Sequence, residues 1–112
     1  MTISSHRLDR VFSALGDPTR RAIVARLALG EATVSELMKP FPFKQPTISR
    51  HLRVLEEAGL IEGGRDAQRR PRRLKGDALK EMADWVEPFR RVWEGRLNNL
   101  ERHLRTTNHE EN

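Results

Sequence analysis

One stretch, residues 33–59, constrains the fold more than any other part of the chain and reads TVSELMKPFPFKQPTISRHLRVLEEAG. Its Thr33 and Glu36 have the spacing of a capping box, which predicts that a short helix begins there. The two prolines that follow require a turn. A second helix is predicted from residue 45 to residue 58, before a glycine. Two short helices joined in this way predict a helix-turn-helix, whose second helix enters the major groove of DNA.

The second helix has two chemically different faces. At ~100° per residue, Ile48, Leu52 and Leu55 fall within one narrow apolar stripe. The outward face carries hydroxyl and basic side chains: Thr47, Ser49, Arg50 and Arg53. A helix that reads DNA needs such a buried side and such a polar side. A solvated surface helix would account for Arg53 equally well.

A basic segment follows directly. Residues 60–62 are predicted as a short strand, and residues 65–75, RDAQRRPRRLK, hold six basic residues against one acidic residue. Together they predict a two-stranded hairpin over residues 60–75, in which Pro71 limits the second arm to an edge strand. Gly63 and Gly64 would permit a sharp departure from the first strand. A helix-turn-helix followed by a basic hairpin predicts a mainly α winged helix, although a flexible basic loop is an alternative for this segment.

The two ends of the chain are predicted to be helical. Two helices are expected over residues 6–30, the second starting at Asp17-Pro18. Apolar residues at helical spacing predict a long helix over residues 77–105, interrupted near Glu87 by Pro88, and a polar tail over residues 106–112.

The apolar stripe of the last helix is more than a small domain can cover. We expect a second copy of the chain to bury it, and packing against the first helix of the same chain is an alternative. The residues expected at this dimer interface are Val11, Phe12, Met82, Val86, Phe89, Trp93, Leu97 and Leu100.

Length and charge narrow the class of protein. A chain of 112 residues favours a single domain over residues 1–112. Its net charge of +5 suits a polyanionic partner, of which nucleic acid is the commonest. The chain has no cysteine, which excludes disulfides and thiolate metal sites. No apolar leader or membrane span is expected, and the expected location is therefore the cytoplasm.

Several strings in the sequence resemble the ArsR-type winged-helix repressors. These are ALGDPTRRAIVARL at 14–27, TVSEL at 33–37 and QPTISRHLRVLEEAGLI at 45–61. The segment ADWVEPFRRVWEGRLNNLERHL at 83–104 looks like a metal-independent branch of that family, and the resemblance spans about residues 8–105. It implies a homodimer built on the terminal helices that binds an imperfect inverted-repeat operator and represses transcription, with autoregulation by analogy.

The resemblance also implies which residues touch DNA. On the recognition helix these would be Gln45, Thr47, Ser49, Arg50 and His51, and on the wing the arginines Arg69, Arg70, Arg72 and Arg73. Lys44 stands where the family usually has a capping serine; lysine cannot accept an amide hydrogen bond there, but it could meet a phosphate.

The residues predict neither a metal nor a cofactor. His103 and His109 are six positions apart, about 240° around a helix, and do not share a face. No spacing suggests a catalytic site, so no enzymatic activity is expected. Three hypotheses follow: a sequence-specific repressor, a nonspecific or architectural nucleic-acid binder, and a module that docks an acidic protein. The first is favoured through the resemblance; the residues do not identify a small-molecule inducer.

Overall fold

The computed structural model describes the backbone of residues 3–63 and 71–111, and the side chains of residues 6–63, 71–96 and 99–105. In chain order the elements are α1 (Ile3–Ala14), α2 (Pro18–Leu27), α3 (Val34–Met38), α4 (Gln45–Glu57), β1 (Ile61–Glu62), β2 (Arg73–Leu74), α5 (Gly76–Val86), a 3₁₀ helix (Glu87–Phe89) and α6 (Arg90–Glu111). Contacts divide the chain into an N-terminal unit, residues 1–82, and a C-terminal unit, residues 83–112.

Local capping signals set where the helices of the N-terminal unit begin. Asp17 caps α2, because its carboxylate accepts the backbone amide of Arg20 at 3.0 Å. Thr33 and Glu36 form the predicted capping box at the start of α3. α4 begins after Lys44 without a side-chain cap, as the chemistry of lysine predicts.

The helix-turn-helix is held by one apolar core. The apolar stripe of α4 is at most 1% exposed and packs with residues of α2, α3 and the segment around β1. The largest fully buried side chains are Ile23, Leu37, Ile48, Leu52, Leu55, Leu60, Ile61 and Val11. Burying each stabilises the unit by ~1.5–3 kcal/mol before entropy is counted, so α4 has a fixed orientation in this unit.

A glycine ends α4 and turns the chain into the hairpin. Gly59 has φ +75°, a left-handed conformation that glycine adopts without strain. Its amide donates to the Glu56 carbonyl at 3.0 Å, and the Leu60 amide donates to the Leu55 carbonyl at 3.0 Å. This Schellman arrangement satisfies two carbonyls at the helix end and leads straight into β1.

The described part of the predicted hairpin is antiparallel. Ile61 pairs with Leu74 and Glu62 pairs with Arg73. One further bridge joins Arg72 to Ala32, ahead of α3, so the base of the wing is attached at two places. Residues 64–70, which include Gly64, Arg69 and Arg70, lie outside the described residues, so the predictions made for them are not tested.

The C-terminal pattern forms two helices. The 3₁₀ turn at Glu87–Phe89 separates α5 from α6, since Pro88 removes an amide from the helical ladder. The expectation of a polar tail from residue 106 was wrong, because α6 continues to Glu111. No proline or glycine after Gly95 ends the helix.

Among the described helices, none combines the length and apolarity required to traverse a bilayer. One domain over residues 1–112 stays a prediction.

Candidate nucleic-acid interface

The polar face of α4 points to solvent. Ile48, Leu52 and Leu55 anchor the opposite side. Of the residues predicted to touch DNA, two are half-buried, Thr47 and His51, and five are exposed: Lys44, Gln45, Ser49, Arg50 and Arg53.

The exposed cations on and just before α4 have no carboxylate partner within the described part of the chain. Lys44, Arg50 and Arg53 make no ion pair with any residue that the structure describes. Arginines elsewhere do form such pairs. Arg90 lies 3.3 Å from Glu87 and 3.1 Å from Glu94. The negative charges of Glu87, the larger cause, and of Glu94 raise the pKa of Arg90. Three exposed cations on and just before one helix, without ion pairs to the described residues, suit a polyanion, because phosphate contacts dominate nucleic-acid affinity.

A cleft brings the recognition helix and the wing base together. Gln45, Ser49 and Arg53 line a cavity of about 190 Å³ together with Glu56 and Arg72, whereas Arg50 does not line it. These α4 residues recur at intervals of four, which places them along one side of the helix.

Arg72 differs from the sequence prediction. We predicted a phosphate-facing arginine, but the residue is only 4% exposed and its Nε donates to Oε1 of Glu56 at 2.8 Å. The long aliphatic part of arginine can be buried while the guanidinium finds a carboxylate. We therefore remove Arg72 from the candidate phosphate contacts.

Arg73 keeps the exposed position that was predicted for a wing arginine. Its side chain is 66% exposed and its Nε lies 2.6 Å from Oε1 of Glu62, its partner in the hairpin register. An exposed pair of this kind contributes ~0–1 kcal/mol, so the guanidinium could exchange Glu62 for a phosphate at little cost.

Arg20, which no sequence pattern singled out, lies in the first turn of α2 and contacts the end of α1 and the middle of α4. Its Nε donates to the Ala14 carbonyl at 2.6 Å, and its Nη1 lies 3.3 Å from Nδ1 of His51. His51 thus contacts α2, which favours a helix-packing role for it over DNA contact. The backbone amide of Arg20 donates to the carboxylate of Asp17, and this hydrogen bond is the main cause that lowers the pKa of Asp17.

The residues predicted at a dimer interface differ in how far one chain buries them. Val11 is fully buried in the core of one chain, out of reach of a partner, and Met82 packs half-buried against that core. Val86 is also half-buried, and the side chain of Leu97 lies outside the described residues. The remaining four are exposed apolar side chains: Phe12, Phe89, Trp93 and Leu100.

Potential metal ligands do not cluster in the described part of the chain. No group of three or more His, Cys, Asp or Glu side chains there could hold an ion. The side chain of His109 lies outside that part.

Comparison with known proteins decides the family. The sequence model of the family described as "Bacterial regulatory protein, arsR family" matches residues 17–62. The transcriptional repressor SdpR of Bacillus subtilis is 33% identical over 82 residues, which cover 73% of this chain and 91% of SdpR. The chain belongs to the arsR family of bacterial regulatory proteins. It is accordingly a DNA-binding transcriptional regulator, and α3, α4 and the hairpin are its winged helix-turn-helix.

Further comparisons agree with this assignment. The regulator Rv2034 of Mycobacterium tuberculosis is 51% identical over 53 residues, 47% of this chain and 50% of Rv2034, so the match spans half of that relative. The crystal structure of the ArsR family regulator RHA00566 has a TM-score of 0.71 at 36% identity, covering 79% of this chain and 97% of that one. The homodimeric winged helix-turn-helix domain of Mb0332 from Mycobacterium bovis has a TM-score of 0.59 at 26% identity, covering 76% and 82%.

Proposed function

We propose that this chain is a homodimeric, sequence-specific transcriptional repressor that binds an imperfect inverted-repeat operator. The single observation that carries the proposal is the exposed, unpaired face of α4 around Arg50, fixed from behind by a buried apolar stripe. Repression follows the relative SdpR, which is a repressor by name. The cytoplasm, where bacterial DNA lies, is the proposed location.

The homodimer is proposed from the apolar residues that one chain leaves exposed. Trp93, Leu100 and Leu104 fall within ~40° of one another around α6, and they are 41%, 55% and 53% exposed. Exposed apolar stripes of this kind mark protein interfaces. A two-fold dimer presents two copies of α4, so its two half-sites should be about one helical turn of DNA apart.

The regulator is proposed to act without a metal, a cofactor or an enzymatic step. The sequence provides no cysteine, and α3 therefore lacks the thiolates of a metal sensor. Autoregulation is proposed by analogy with the family alone.

Selection from short duplexes with a randomised centre tests the proposal. We expect the wild-type protein to enrich one inverted repeat, called the selected duplex below, with equal affinity in a chelator and in stoichiometric zinc. A saturable change of affinity with zinc would overturn metal independence. Enrichment of no sequence, with tight binding to the whole pool, would instead favour a nonspecific or architectural binder, and binding to no duplex would favour a module that docks an acidic protein.

A further inference from the structure

The junction between α4 and the wing contains the one buried charged residue of the described chain. The side chain of Arg72 is 5% exposed, and that of its partner Glu56 is 38% exposed. The neighbouring pair Arg73–Glu62 is 66% and 42% exposed. Two arginines that are adjacent in sequence therefore have different surroundings, and only one is held inside the fold.

The backbone of Arg72 is fixed as firmly as its side chain. Its amide donates to the Ala32 carbonyl at 2.8 Å, and the Ala32 amide donates back at 3.0 Å. Ala32 precedes α3, and Glu56 lies in the last turn of α4. One residue of the wing base is thus bonded both to the segment that leads into α3 and to α4.

Gly63 leaves the space that the Arg72 side chain occupies. A Cβ atom at Gly63 would lie 2.8 Å from Nε of Arg72 and 3.3 Å from its Cζ, closer than such atoms pack. Gly63 is not among the described glycines with positive φ, so space rather than backbone conformation requires glycine there. That Gly63 and Gly64 together permit a sharp departure from the first strand stays a prediction, because Gly64 lies outside the described residues.

We propose that Glu56, Arg72 and Gly63 position the base of the wing against the recognition helix and thereby set the preference for operator DNA. Glu56 lies one turn beyond Arg53, and both residues line the cleft with Arg72. Arg72 is then a positioning residue and not a phosphate contact. The proposal rests on the proposed function, since the preference it explains is that of a sequence-specific regulator.

Removing the charge of Glu56 separates positioning from simple electrostatics. Glu56→Gln makes the protein more basic, so electrostatics alone would tighten binding to any duplex. Positioning predicts that affinity for the selected duplex falls by about tenfold, the size expected for one coupled interaction. Affinity for a scrambled duplex of the same length should stay equal or rise.

Glu62→Gln is the matched control. It makes the same charge change on a glutamate whose arginine partner is exposed, and it should not reduce the ratio of selected to scrambled affinity. Gly63→Ala changes no charge but displaces Arg72, and it should lower the ratio as Glu56→Gln does.

A double variant separates positioning from a merely stabilising role. Glu56→Gln removes the carboxylate that accepts from Nε of the buried Arg72, so it should also lower the thermal unfolding temperature. Glu56→Gln/Arg72→Met removes both charges and keeps the aliphatic volume. We expect the unfolding temperature to recover toward wild type and the affinity ratio to stay low.

Titrations of every variant on both duplexes over a salt series, with an unfolding curve for each, decide the matter. If both the unfolding temperature and the ratio of selected to scrambled affinity recover in the double variant, the proposal is overturned. The Glu56–Arg72 pair would then only stabilise the fold. A uniform loss on both duplexes for Arg72→Met, with a log–log salt slope smaller by ~0.9 per neutralised phosphate, would instead make Arg72 a phosphate contact. If the wild type prefers no duplex, the proposed function fails, whereas a wild-type preference that Glu56→Gln and Gly63→Ala leave unchanged overturns this inference alone.

Discussion

In the N-terminal unit, the apolar residues of α2, α3 and α4 bury one another, whereas the C-terminal unit leaves both of its tryptophans exposed. Ile48 and Leu52 are at most 1% exposed, but Trp85 and Trp93 are 52% and 41% exposed. One chain therefore completes the winged helix-turn-helix but does not cover the apolar side of its last helix. Under the proposed function, we expect DNA reading to depend on the fold of one chain and assembly to depend on a second chain.

The largest expected effect comes from a charge on the C-terminal unit. Leu100→Glu would place a carboxylate in the proposed interface, at a cost of several kcal/mol. We expect monomers in sedimentation experiments and greatly weakened binding to the selected duplex. Leu29→Glu is the control, because Leu29 is an 85% exposed apolar residue of the N-terminal unit outside the proposed interface. A Leu100→Glu variant that is still dimeric would show that α6 does not make the dimer.

A substitution on α4 should affect reading without affecting assembly. Arg50→Ala removes a side chain placed to reach base edges, and a good base contact discriminates by ~1–3 kcal/mol. The free-energy preference for the selected over the scrambled duplex should fall by that amount. Sedimentation should still show the dimer. Titration on both duplexes measures it, and an equal loss on both would make Arg50 a phosphate contact.

A substitution in the wing should weaken DNA binding less than one on α4, and by the same factor for both duplexes. Arg73→Ala is expected to weaken both duplexes alike, because phosphates carry no base information. The log–log salt slope should shrink by ~0.9 for each phosphate that the variant no longer neutralises. If Arg73→Ala loses affinity only for the selected duplex across a salt series, the wing reads base sequence or groove shape.

The smallest effect concerns the acid side of the stability curve. The pKa of Asp17 is lowered, chiefly by the Arg20 amide, so its contribution is present above the unfolded-state pKa and is lost as pH falls through the folded-state value. The stability advantage of wild type over Asp17→Ala should therefore shrink in the acid range. Chemical unfolding at several pH values checks this. In Asp17→Asn, which keeps the acceptor but does not titrate, that pH dependence should be absent.

Local signals explain why much of the fold could be predicted. The Thr33–Glu36 capping box, the Asp17 cap and the stripe of α4 each depend on residues within a few turns of one helix. The end of α6 was missed because a polar segment was interpreted as the end of the helix, although neither proline nor glycine follows Gly95. Local rules therefore predict elements well and their ends less well.

The wing base shows what the sequence could not reveal. A run of arginines looks alike residue by residue, yet Arg72 is buried and Arg73 is exposed. The difference depends on Glu56, sixteen residues away, and on the space left by Gly63. Val11 is a similar case, because only the packing of α1 decides which apolar residue faces the core. Contacts between distant residues carry no local signal.

A competition titration of the wild-type protein tests the central claim most directly. Labelled selected duplex is bound at physiological salt and displaced by unlabelled selected or scrambled duplex, and the number of chains per duplex is measured in the same complex. We predict a preference of ~10³-fold or more for the selected duplex, with two chains on each inverted repeat. Equal displacement by both duplexes, or one chain per repeat, would contradict a homodimeric, sequence-specific regulator.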